Sequence, residues 1–156
     1  MIQSRRNVFE TNSSSSHSIS ISNDIETDNN LEVEGDKVYC RAGEFGWEIE
    51  DYTDAQTKLN YLITMAAATT VGTIWTGGGV DEILIEEFIE TDDFKEIQEC
   101  VCKVTKCKEL VVESLDGYID HQSMYNSMRE FLADNDLTIE QFIFGDVLLH
   151  TDNDNH

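Results

Sequence analysis

The run from Thr53 to Gly72 restricts the fold more than any other part of the chain. Its apolar residues Ala55, Leu59, Leu62, Ile63, Ala66 and Ala67 recur at spacings of three and four, the period of one helix face. The spacing predicts a helix from Thr53 that ends between Thr70 and Gly72. Its longest candidate for a membrane span, Leu62 to Val71, is rich in threonine and alanine and falls well short of the roughly 20 apolar residues a bilayer requires.

The segments before and after this helix read differently. Residues 2 to 9 have strand character, and Ser18-Ile19-Ser20-Ile21-Ser22 alternates strictly. Leu31 to Glu34 and Lys37 to Cys40 flank Gly35-Asp36, a two-residue hairpin signal. Phe45 and Trp47, set between glycines, are expected over an end of the sheet, with a pocket wall as the alternative. Thr76-Gly77-Gly78-Gly79 lacks the lysine and serine or threonine of a phosphate loop and precedes acidic residues, so it reads as a connection. Asp81 and Thr91 are candidate N-caps for helices over 82–90 and 92–106. Leu110 to Glu113 and Gly117 to Asp120 suggest a second hairpin around Leu115-Asp116-Gly117. A helix over 124–133 capped by Ser123, a short helix with a Thr138/Gln141 capping box stopped at Gly145, and a strand over 147–150 complete the chain. Residues 151–156 are expected to be an unanchored tail. With 156 residues and 40% apolar content, the pattern specifies one α+β domain: a largely antiparallel sheet built from both halves, with helices packed mainly on one face.

Thirty-two acidic against ten basic residues leave a formal charge of −22. Direct binding to nucleic acid or to an anionic membrane is therefore not expected, and the partners such a surface favours are basic proteins or cations. The N-terminus has no apolar signal-peptide core, so the cytoplasm is the expected location, with Cys40, Cys100, Cys102 and Cys107 as reduced thiols. In the predicted helix Cys100 and Cys107 share a face while Cys102 points elsewhere, a poor zinc geometry.

Three polar clusters carry the candidate chemistry. Thr11, Asn12, Ser13, Ser14, Ser15, Ser16 and His17 offer hydroxyl and amide groups and one imidazole between two strand-like segments, a composition that suits an anion or metal and equally suits capping a turn. Asp120, His121 and Ser123 place a carboxylate beside an imidazole at a strand end. Asp152 and Asn153 belong to an alternating Asp/Asn run that lacks the glycine and distal glutamate of a calcium loop. If these ends meet, His17, Asp120, His121 and Asp152 supply ligands for a divalent metal, His17 or His121 a base, and the hydroxyl and amide groups with Asn153 a ligand site. A fourth feature is the acidic run containing Glu82, Glu86, Glu90 and Asp93. Carboxylates four residues apart on a helix stand about 6 Å apart along the axis, comparable to successive phosphates of a nucleic-acid strand.

The residues Arg6 to Phe9 followed by Thr11 to Ser18 resemble the opening of a family of small proteins encoded by tailed phages and by bacteria. The similarity continues at Gly43-Glu44-Phe45-Gly46-Trp47-Glu48, at Gly117 to Ser123, at Phe142-Ile143-Phe144-Gly145 and at Thr151 to Asn155. These patches span nearly the whole chain. The resemblance implies a phage or bacterial source, hence a host cytoplasm, and no particular chemistry. Two readings result. The first is an acidic accessory protein that binds a basic host protein, a nucleic-acid-binding or defence factor, as a nucleic-acid mimic or inhibitor. The second is a small metal-dependent hydrolase or phosphate-binding enzyme built from the three clusters. Oligomeric state is left open by the sequence.

Overall fold

The computed structural model describes residues 16–21, 30–45, 50–73, 82–119 and 125–152. The predicted strand over 2–9, the glycine run at 76–79 and Trp47 lie outside them. The described chain forms β1 (Ser16–Ile21), β2 (Val33–Glu34), β3 (Lys37–Cys40), β4 (Glu44–Phe45), β5 (Glu50–Tyr52), α1 (Ala55–Thr70), α2 (Glu82–Phe88), α3 (Asp92–Thr105), β6 (Glu109–Val112), β7 (Tyr118–Ile119), α4 (Met128–Asp134), α5 (Ile139–Phe144) and β8 (Val147–Asp152). The α+β class holds, and the strands divide among three small sheets, ordered β1-β8-β5, β2-β3-β6 and β4-β7. No described helix is long and apolar enough to cross a membrane.

The predicted central helix forms as α1, started by Asp54, whose carboxylate accepts from the Thr57 backbone N–H at 2.8 Å and its hydroxyl at 2.6 Å. The sequence shows an apolar stripe, yet burial runs much further round the helix and takes in Lys58, Tyr61, Thr64 and Met65. The reason is that α3, α4, α5, β3 and β7 all pack on α1. Tyr61 sits at the centre of an aromatic cluster, its ring centroid 4.9 Å from Phe45, 5.7 Å from Phe131 and 6.2 Å from Phe142.

Polar residues of α1 at spacings of four hold loop backbone. The Gln56 amide oxygen accepts from Glu32 N–H at 2.8 Å, and its Nε2 donates to the Tyr39 carbonyl at 3.0 Å. Asn60 accepts from Arg41 N–H at 3.1 Å, and the Thr64 hydroxyl accepts from Gly43 N–H at 3.0 Å. Residues 56, 60 and 64 thus form a stripe that satisfies the backbone of residues 32–43. On another side, fully buried Lys58 donates from Nζ to the carbonyls of Gly145 at 3.2 Å and Val147 at 3.0 Å, fastening the turn between α5 and β8.

The first hairpin forms as expected: β2 and β3 pair antiparallel around Gly35, whose φ of 64° is the left-handed conformation such turns need. The second does not. β6 pairs parallel with β3 and β7 parallel with β4, because α1 to α3 provide the crossover that parallel strands require. Gly117 is therefore a point of close approach and not a turn residue. A Cβ there would lie 2.6 Å from both Ala42 Cβ and the Gly43 carbonyl oxygen. The next helix also starts later than the spacing suggests, at Met128 with Ser127 as N-cap. The Thr138/Gln141 capping box is present in α5, which ends at Gly145 as expected.

Two consequences are measurable. Gly117→Ala forces apart the strand ends at residues 42–43 and is expected to cost about 1–3 kcal/mol, read as a lower urea midpoint. Lys58→Met removes the Nζ donor from the Val147 and Gly145 carbonyls, of which Gly145 keeps the Val147 N–H, and is expected to cost about 1–3 kcal/mol at neutral pH. Burial also lowers the Lys58 pKa from 10.5 to about 8. Between those values the unfolded chain holds the proton that the folded chain has released, so folding stability contributed by this group rises with pH. The stability gap between wild type and Lys58→Met should widen from pH 8 to 10.5. The comparison at each pH cancels the opposite trend from Cys40, whose thiol is pushed up by burial and whose contribution is lost as pH rises past 9.

Candidate functional site

Sheet pairing brings two of the three polar clusters together. β1 runs antiparallel to β8 with Ser16 opposite Asp152, His17 opposite Thr151 and Ser18 opposite His150. The expected tail therefore begins as strand, and residues 151 and 152 are paired, not free. Thr11, Asn12, Ser13, Ser14, Ser15, Asp120, His121, Ser123 and Asn153 lie outside the described residues. The strand that leads to Asp120, β7, belongs to a different sheet, with β4. Phe45 at the end of β4 places its ring 5.8 Å from Tyr52 of β5, edge-on, which accounts for the contact between that small sheet and the one holding β8.

The register resolves two faces of the β1-β8-β5 sheet. Val147 and Leu149 are buried while Leu148 and His150 are only partly so, the alternation of a strand with one face on a core. His17 pairs with Thr151 and Thr151 with Glu50, whereas Ser18 pairs with His150 and His150 with Asp51. These rows are one residue out of phase and so occupy opposite faces. His150 Nδ1 lies 2.6 Å from Asp51 Oδ1. A carboxylate at Nδ1 selects the tautomer with the proton there and leaves Nε2 as the nitrogen for acid-base work or metal ligation. Both side chains are accessible, at 32% for His150 and 59% for Asp51. Sequence reasoning passed over this pair because its members are 99 positions apart and Asp51 stands in an acidic stretch with no motif. The only signal was a histidine on an otherwise apolar strand next to the terminal Asp/Asn run.

The acidic surface is also more differentiated than its composition. Helix α2 stops at Phe88, which is buried and packs edge-on against Phe94 at 5.3 Å. The Thr91 hydroxyl donates to the Phe88 carbonyl at 2.7 Å and accepts from Phe94 N–H at 3.2 Å, fixing the corner into α3. Glu90 therefore sits in that corner, and only Glu82 and Glu86 keep the one-turn helical spacing. Glu90 reaches Lys95 at 3.9 Å. Asp93 turns toward α4: it is only 13% exposed, its carboxylate is 4.0 Å from Arg129 Nε, and Arg129 also pairs with Glu96. Burial raises the Asp93 pKa against the pull of Arg129. Asp93 therefore ties α3 to α4 and stands apart from the outward surface. Among the described residues Glu82, Glu86 and Glu87 have no cationic partner, and Ile83 beside them is 69% exposed.

Among residues whose side chains are described, no three histidine, cysteine or acidic groups gather closely enough to hold a metal. Cys100, Cys102 and Cys107 are free and half-buried. Comparison of the chain with models of protein families, with curated proteins and with solved structures finds no match.

Proposed function

We propose that this protein binds a basic protein partner through the outward face of α2, by electrostatic complementarity around an apolar anchor. The observation that carries this reading is exposed Ile83 bordered by Glu82, Glu86 and Glu87, carboxylates with no cation of their own among the described residues. Ile83 sets an exposed apolar side chain among these carboxylates, and in an interface such a residue, desolvated at the middle, contributes affinity while charges at the rim set approach and orientation. With a formal charge of −22 the long-range field adds attraction for any basic surface. The partner class is a basic host factor, such as a nucleic-acid-binding or defence protein, which the protein engages in place of nucleic acid. The mimicry rests on a compact carboxylate cluster, since the regular ladder extends over Glu82 and Glu86 alone.

A tagged pull-down from bacterial lysate at low and high salt tests the proposal. Wild type is expected to retain a specific basic protein at low salt and lose it at high salt. The Glu82/Glu86/Glu87 charge reversal and Ile83→Asp should each lose it at both. A partner retained by either variant, or no specific partner at low salt, overturns the reading.

A further inference from the structure

We propose that Cys102 and Cys107 form a reversible redox pair, bridged by a disulfide under peroxide, that fastens the end of α3 to the chain entering β6. The inference is independent of the partner-binding reading and concerns a different part of the molecule. Helix α3 ends in a left-handed cap: the Lys106 N–H donates to the Cys102 carbonyl at 2.8 Å, and Lys106 itself has φ 67° and ψ 16°. A left-handed residue there folds the chain back over the last helical turn, so that the residue after it meets the side chain four positions before it. Cys107 and Cys102 occupy those two positions. Residues that meet across such a cap fall within the roughly 4.4–6.8 Å between Cα atoms that a disulfide spans. Lysine is disfavoured in this conformation, and Thr105 holds the turn: its hydroxyl donates to the Val101 carbonyl at 2.8 Å and accepts from Cys107 N–H at 3.2 Å.

The other thiols are set apart. Cys40 is fully buried, with its Sγ 3.5 Å from the Val111 carbonyl oxygen. Cys100 stands two residues before Cys102, about 200° round the helix. The electrostatic neighbours differ in the same sense: after burial, Glu140 of α5 raises the Cys100 pKa, whereas Cys107 raises that of Cys102. Cys102 and Cys107 are only half-buried, so peroxide reaches them. One thiolate attacks the peroxide O–O bond, giving a sulfenic acid and hydroxide, and the second sulfur then displaces the sulfenic oxygen, closing the S–S bond and releasing water. Two thiols are oxidised and one hydrogen peroxide is reduced to two waters. A partly exposed bridge is open to thiol exchange and so reverses. It ties α3 to a segment that Gln98 of the same helix already holds, its Oε1 accepting from Leu110 N–H at 3.0 Å.

The full chain, reduced and then freed of reductant, is treated with hydrogen peroxide. Remaining thiols are counted, and peptides are mapped after trypsin, which cuts inside the loop at Lys103 and Lys106. Wild type is expected to lose two of its four thiols, to keep its circular dichroism spectrum, and to yield two peptides of one chain joined until dithiothreitol separates them. Cys100→Ser should still form the joined peptides. Cys102→Ser and Cys107→Ser should each lack them. A wild type that keeps all its thiols, loses them without joining peptides, loses them only in urea, or joins separate chains as its main product overturns the proposal. So does a bridge that persists in Cys102→Ser, since it would belong to Cys100. Should either serine variant fail to fold, fragmentation of the joined wild-type peptides locates the bridge at position 100 or 102 and decides the question.

Discussion

The burial of α1 on almost every side is the constraint on which the rest of the structure depends. A helix so enclosed loses solvent as a partner for its polar side chains, so each of these must find protein. Gln56, Asn60 and Thr64 find the backbone of residues 32–43, and Lys58 finds the carbonyls of the α5–β8 turn. These bonds do more than satisfy α1. They fix the first hairpin on one side of the helix and the start of the last strand on another.

With β3 and β4 held against α1, the parallel pairings follow. Strands that return after α3 meet β3 and β4 already in place, and the polypeptide between them is long enough to make a parallel crossover. Gly117 marks the tightest point of that arrangement, where the returning chain passes Ala42 and Gly43 too closely for any side chain. Arg41 reinforces the junction from outside, reaching Glu32 at 2.7 Å and Glu113 at 2.6 Å. Both carboxylates remain substantially exposed, so this contact adds orientation more than stability.

The same scaffold separates two chemically different surfaces. α2 and the α3 corner carry carboxylates around Ile83, and β5 and β8 carry the Asp51–His150 pair. Asp93, which composition assigns to the first surface, is drawn inward to Arg129. His150, which composition assigns to neither, is brought to Asp51 by the pairing of β5 with β8. Acidic surface charge is thus divided among a helix tie, an outward patch and a paired histidine, a division invisible in the net value of −22.

What the sequence alone determined was local. The period of α1, the Gly35 hairpin, the Thr91 and Thr138 caps and the stop at Gly145 all depend on contacts within a few residues, where spacing and side-chain type are sufficient. Spacing also predicted one α+β domain, since strand-like and helix-like segments occur in both halves. Tertiary structure decided everything that rests on pairing between distant segments: parallel β6 and β7 in place of a hairpin, the inward face of Gln56, Asn60 and Thr64, and the meeting of Asp51 with His150. A Leu-Asp-Gly sequence reads as a turn whichever strand waits beside it, and a histidine on a strand reads the same on either face. Only register, set by which strand the core presents to which, separates His150 from His17.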